Sequence, residues 1–350
     1  MTNHRFRLPA LMAALCLVAA ACGGGDDDSA AEETTTTAAT DTTVDDGAAH
    51  GEDEPLLESR DLDGVVQYAN FEFEMDDIEV PEPEEVPGGM PGRSFTVNMT
   101  VTNLDDRTTT PGTEVAVQWD DENDNVVQVR GQNGFREVPG NSSSSGSVQF
   151  LIDPDDVRTW DENSARLVFG QSGSAQAVVP IGDDVELVSR LPVEQDISGT
   201  FDVNGFTFEV EYGVVRWNNI GDRSQVEEDT AILELWGPME NGTDSQECIG
   251  SRSRRIEPTI ELLDGSSRTL LGSNVNCLRG GENERQAVVA FEIDDPYGGD
   301  YEVTLSGGGD DGTSTLTITL VEGEGTASDD RDVADSDADL DEDDASDDES

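Results

Sequence analysis

The feature that most constrains this chain is a phrase of alternating residues that occurs twice. Asn70-Phe-Glu-Phe-Glu-Met75 is answered by Gly205-Phe-Thr-Phe-Glu-Val210, and Gln149-Phe-Leu-Ile-Asp-Pro154 by Ala290-Phe-Glu-Ile-Asp-Asp-Pro296. An apolar strand then follows in each copy, Ala165-Arg-Leu-Val-Phe169 and Tyr301-Glu-Val-Thr-Leu305. Each copy closes on another, Ala175-Gln-Ala-Val-Val-Pro-Ile181 and Thr315-Leu-Thr-Ile-Thr-Leu320. Successive side chains of a strand point to opposite faces, so a period of two marks sheet with one buried face. Ser94–Val101, Thr113–Trp119 and Ser147–Ile152 alternate in the same way, and turns such as Pro111-Gly112, Pro139-Gly140 and Asp264-Gly265 separate such runs. Helical periodicity is nearly absent. The expectation is an all-β chain of two tandem antiparallel sandwiches, residues 65–185 and 195–322, with Asp183–Gln195 as connector.

The flanks are of another kind. Residues 22–64 and 323–350 are built of Asp, Glu, Thr, Ala, Gly and Ser with few large apolar side chains. Such segments cannot bury enough surface to offset the entropy of ordering, so a disordered tether and a disordered tail are expected. A flexible tether of that length spans ~35 Å on average, and like-charge repulsion stretches it further. Asp335-Ser-Asp337-Ala-Asp339-Leu-Asp341 alternates like a calcium loop but lacks its sixth-position glycine and closing glutamate, so it reads as solvated tail.

At the start, Arg5 and Arg7 precede an apolar run from Leu8 to Ala21, which ends in Val18-Ala-Ala-Ala-Cys22 and gives way to Gly23-Gly-Gly-Asp-Asp-Asp28. A basic head, a short apolar middle and small residues before a cut form an export signal, too short to span a bilayer comfortably. Small-small-Cys in this place resembles the lipobox of bacterial lipoproteins, with Ala19 standing where that family usually has Leu. The resemblance implies removal of residues 1–21, a diacylglyceryl group on the Cys22 sulfur, and anchoring on the outer face of the cytoplasmic membrane. The alternative is ordinary secretion with Cys22 bare. A second, looser likeness covers about forty residues: the first unit resembles the immunoglobulin-like heads of bacterial surface lipoproteins, whose long second strand ends in a phrase like Val101-Thr102-Asn103.

Charge and missing residue types narrow the function. The formal charge is −59, and losing Arg5 and Arg7 with the leader takes it to −61. That field disfavours nucleic acid and anionic lipid surfaces as direct partners. All nineteen basic residues are arginine, which removes Schiff-base chemistry. The two histidines, His4 and His50, lie in the leader and the tether, so the sandwiches lack a Ser-His-Asp or Cys-His unit and the usual zinc ligands. No cofactor and no metal site is expected. Cys16 leaves with the leader and Cys22 is the lipidation site, which leaves Cys248 and Cys277 to form a disulfide in an oxidising space.

Three features invite function. Ser251-Arg-Ser-Arg-Arg255 is the one basic cluster, so Arg252, Arg254 and Arg255 are candidates for binding an anionic wall polymer or an acidic patch; a strand edge paired with the protein's own acids is the plainer reading. Asp120-Asp-Glu-Asn-Asp-Asn125 has calcium-like side chains but also reads as a solvated hairpin tip. Trp119, Trp160, Trp217 and Trp236 could stack sugars, although Trp in small sandwiches is more often core. The triplets at Asn98 and Asn241 fit the glycosylation pattern, but a bacterial lipoprotein would normally leave them bare. The expected function is a non-catalytic envelope module, lipid-anchored, that binds a wall polymer or another envelope protein. The competing readings are an accessory subunit presenting ligand to a transporter or sensor, and a carboxylate-dependent hydrolase of wall polysaccharide.

Overall fold

Alternating sequence becomes alternating burial along the strands that build the cores. In Ser94–Asn103 the side chains of Phe95, Val97, Met99 and Val101 are buried while those between them are half-exposed. The computed structural model describes residues 56–81, 93–112, 114–121, 123–219, 224–250, 255–307, 312–323 and 325–327. It is an all-β protein: four sheets, and the single short helix Pro154–Val157 among the described residues.

The first sandwich pairs a six-stranded with a four-stranded sheet. In the larger sheet Phe71–Glu79, Ser94–Asn103, Ser142–Leu151 and Gln132–Asn133 lie side by side, with Arg60–Asp61 and Val65–Tyr68 added to the outer edge of Phe71–Glu79. The smaller runs Ala177–Pro180, Arg166–Phe169, Val115–Asp120, Val126–Arg130. The second sandwich repeats this arrangement. Phe206–Val210 and Tyr212–Arg216 together take the place of Phe71–Glu79, followed by Thr230–Asn241, Asn283–Asp294 and Gly272–Ser273. Across the core lie Thr313–Leu320, Gly299–Ser306, Arg255–Glu261 and Ser267–Thr269. Both follow the immunoglobulin order A-B-E-D against G-F-C-C′. Pairing is antiparallel throughout, apart from a two-residue parallel contact between Glu247–Ile249 and Arg255–Glu261.

Each sandwich has its own core. The first is centred on Phe73, Phe95, Phe150, Phe169 and the contacting indoles of Trp119 and Trp160, whose ring centroids are 4.9 Å apart. The second is centred on Phe201, Phe206, Phe208, Phe291 and Tyr301. Tyr301 donates its hydroxyl to the carbonyl of Tyr297, 2.8 Å away, the corner that fixes the start of this strand in immunoglobulin-like folds. The copies also share a polar device. Asn103 and Asn241, at matching strand ends, are fully buried and each donates through Nδ2 to two carbonyls, of Arg107 and Val138 in one and of Ser245 and Leu278 in the other. A buried amide without those partners would be costly, so each Asn fixes where its loop folds back.

Two details depart from the sequence reading. Leu56, Leu57 and Leu62, assigned to the tether, are buried in the first core; three leucines within seven residues were outweighed by the acids around them. Ala175, in the first copy, packs into the second core. The connector is therefore not a loose hinge. All described residues belong to one compact unit, and the junction is dense in polar contacts. Gln225 accepts from the Ala69 amide through Oε1 and donates to the Ala175 carbonyl through Nε2. Asn218 Nδ2 donates to Asn70 Oδ1 at 3.2 Å. Arg190, in the connector, donates to the Gln176 carbonyl on one side and to Asp295 Oδ2 on the other, at 3.1 and 2.6 Å. Its guanidinium lies over the Trp217 ring, 5.1 Å from the centroid, and the Trp217 indole N–H donates to the same Asp295 oxygen.

Candidate functional site

The sequence-derived sites are placed unevenly. Cys22, Arg252 and Arg254 lie outside the described residues; Arg255 opens the strand Arg255–Glu261, but its side chain is also outside them. Cys248 and Cys277 form the expected disulfide across the strands Glu247–Ile249 and Cys277–Leu278. It joins the loop regions before Arg255–Glu261 and before Asn283–Asp294, not the two sheets as the usual immunoglobulin bridge does.

The Asp120–Asn125 tip is a hairpin turn. Asp121 Oδ1 accepts from the amides of Asn123 and Asn125, and these bonds hold its carboxyl below the usual range. Its lone pairs serve the turn itself. Among the described residues no group of three or more His, Cys, Asp or Glu side chains is arranged to hold a metal ion. Asn98 donates to Asp77, and buried Asn241 is bound as described above. Trp119, Trp160 and Trp217 are core or junction residues.

Trp236 differs. It is half-buried on the outward face of the second sandwich and directly opposite Tyr212 in the neighbouring strand. The two rings are parallel within 1°, with centroids 6.1 Å apart. A β-bulge puts Tyr212 there. The register pairs Phe208 with Met239 and Tyr212 with Trp236, so residues 209–211 oppose only 237 and 238. Phe206, Phe208 and Val210 point inward; beyond the extra residue, Gly213, Val215 and Trp217 do. Glu211 and Tyr212 both emerge on the outside. Bulges re-aim side chains in this way. Gly237 permits it: a Cβ there would lie 1.8 Å from the Glu209 carbonyl oxygen.

A chain of polar contacts runs from the ring pair to the junction. The Trp236 indole N–H donates to Glu234 Oε2 at 3.1 Å, and Arg216 donates to Glu234 Oε1 at 3.0 Å. Arg216 Nε then donates to Asn218 Oδ1 at 2.7 Å, and Asn218 reaches Asn70 of the first sandwich. Glu234 is 3% exposed, a buried carboxylate with both oxygens engaged. Tyr212 is 37% exposed. Partial burial raises its phenol pKa first, and the nearby charges of Glu194, Glu211 and Glu234 raise it further. Glu194 and Glu211 are exposed and take part in no salt bridge among the described residues. The face thus combines a rigidly held aromatic pair with uncompensated negative charge. No sequence motif announces it.

What fold and site define together is a tandem immunoglobulin-like protein with a preorganised aromatic face on its second sandwich. No family model matches the chain, and a search of curated proteins finds no relative.

Proposed function

We propose that the chain is an exported lipoprotein in which Cys22 carries the lipid and the two-sandwich body serves, without catalysis, to bind or organise other envelope components. The observation that carries the reading is the allotment of cysteines. Cys248 and Cys277 are bonded to each other, which leaves Cys22, at the end of an apolar run and before a Gly-Asp tether, as the sole unassigned thiol of the exported chain. The jointed but tightly bound body supports the second half. Arg190, Gln225 and Asn218 hold the sandwiches against one another, so the body presents one fixed surface at the end of its tether.

Metabolic labelling with radioactive palmitate tests it. Label should enter the wild-type chain and be absent from Cys22→Ser. Equal labelling of both, or of neither, would reject the reading.

A further inference from the structure

The junction contains a worked example of recognition chemistry. At Trp217 an indole N–H is held by a carboxylate, Asp295, and a guanidinium, Arg190, lies over the ring. Trp236 repeats two of the three parts. Its N–H is held by the carboxylate of Glu234, its ring is fixed parallel to Tyr212, and Glu194 and Glu211 supply negative charge alongside. Among the described residues no guanidinium lies over it as Arg190 lies over Trp217.

Guanidinium groups are attracted to aromatic faces and stack on them as planar groups, more readily than the strongly hydrated ammonium of lysine. The carboxylates beside the rings, and a chain carrying −59, attract a cation and repel anionic polymers. A neutral sugar could stack on the rings and donate hydroxyls to the carboxylates, but it would gain no net Coulombic attraction from the flanking charge. Burying Glu234 against Arg216 on an outward face, and inserting a bulge to turn Tyr212 outward, gives a binding surface whose rings are set before the partner arrives.

We propose that the Tyr212–Trp236 face docks an extended, arginine-bearing segment of a partner protein, its guanidinium against the aromatic pair with Glu194 and Glu211 as counter-charges. This names the partner class for the binding role proposed above and rests on that reading, but its test does not depend on the lipid.

The full chain carrying Cys22→Ser is titrated by calorimetry, at physiological salt, with the blocked pentapeptide Gly-Arg-Gly-Arg-Gly and with its counterpart in which citrulline, neutral and nearly isosteric, replaces each arginine. The arginine peptide should bind at least fivefold more tightly than the citrulline peptide, on the order expected for one partly exposed cation–π contact. Tyr212→Ala should weaken it by about fivefold while the circular-dichroism spectrum stays that of the folded chain, and so should the charge-neutral pair Glu194→Gln and Glu211→Gln. The proposal is overturned if the arginine peptide does not bind, if Tyr212→Ala leaves its affinity intact, or if the citrulline peptide binds equally well. It is also overturned if chitotetraose, a neutral glycan, binds in a Tyr212-dependent way while the peptide does not. Because the titration does not involve the lipid, a failed palmitate experiment leaves this outcome unaffected, and a failed titration leaves the anchor standing.

Discussion

The two sandwiches share one strand order and are stabilised differently. The first contains no disulfide and fills its centre with Trp119 packed on Trp160 and on a group of phenylalanines. The second is centred on four phenylalanines and Tyr301, and adds a staple between Cys248 and Cys277 and a buried ion pair, Arg216–Glu234, on its outer face. Both spend large aromatics inside. The second also turns one aromatic pair outward, and its loops are secured by a covalent link. A scaffold without a bridge and one reinforced by a bridge can therefore have the same topology while only the reinforced copy carries the outward Tyr212–Trp236 pair.

That contrast can be broken or sharpened experimentally, in order of expected effect. Trp119 is fully buried, so Trp119→Ala should cost the first sandwich about 4 kcal/mol, seen as an earlier denaturant midpoint by circular dichroism; the disulfide does not protect it. Replacing both Cys248 and Cys277 by Ala should cost the second sandwich about 3.5 kcal/mol, because the bridge spans 29 residues. Hydrogen exchange resolved by sandwich should show the loss largest in the second, with the first affected only through the junction. A smaller loss, about 2 kcal/mol, is expected for Arg190→Ala, which leaves Asp295 part-buried with only the Trp217 N–H. Its signature is loss of coupling: two unfolding transitions should replace one if the polar junction is what joins the copies.

A further test is one of pH. Burial, aided by Asp294 and Glu322, pushes the Tyr301 phenol up from 10.0 to about 12. The fold thus favours the neutral phenol. That stability is present in full below pH 10 and is lost as the pH rises from 10 to about 12. The first sandwich has Ala165 at the corresponding position of its repeat, so alkaline melting monitored by tyrosinate absorbance should begin in the second.

Much of the fold was legible because burial and sequence share a period of two. Phe71-Glu-Phe73 and Phe206-Thr-Phe208 read as core, and they are core. The aromatic face was hidden by the same rule. Continued through Val210, the alternation sends Tyr212 inward; only the bulge opposite Gly237 reverses it, and a bulge is a property of register between strands, not of one strand's pattern. Trp236 was one of four tryptophans named as possible stacking residues, but nothing set it apart from the other three, since Ala231 to Leu235 are all buried and the run shows no exposed side. The junction was invisible for another reason. Gln225 reaches Ala69 over 156 positions and Asn218 reaches Asn70 over 148, and such polar pairs leave no local trace. The leucines at 56, 57 and 62 were misassigned because an acidic neighbourhood lowers average hydropathy without preventing the apolar side chains from finding the core.

The account stands most directly on the state of Cys22. Intact-mass and N-terminal analysis of the protein extracted from membranes should give a chain that begins at Cys22 and carries a diacylglyceryl mass on its sulfur. A chain that begins at Met1, or one that begins at Cys22 with a free thiol, would contradict it.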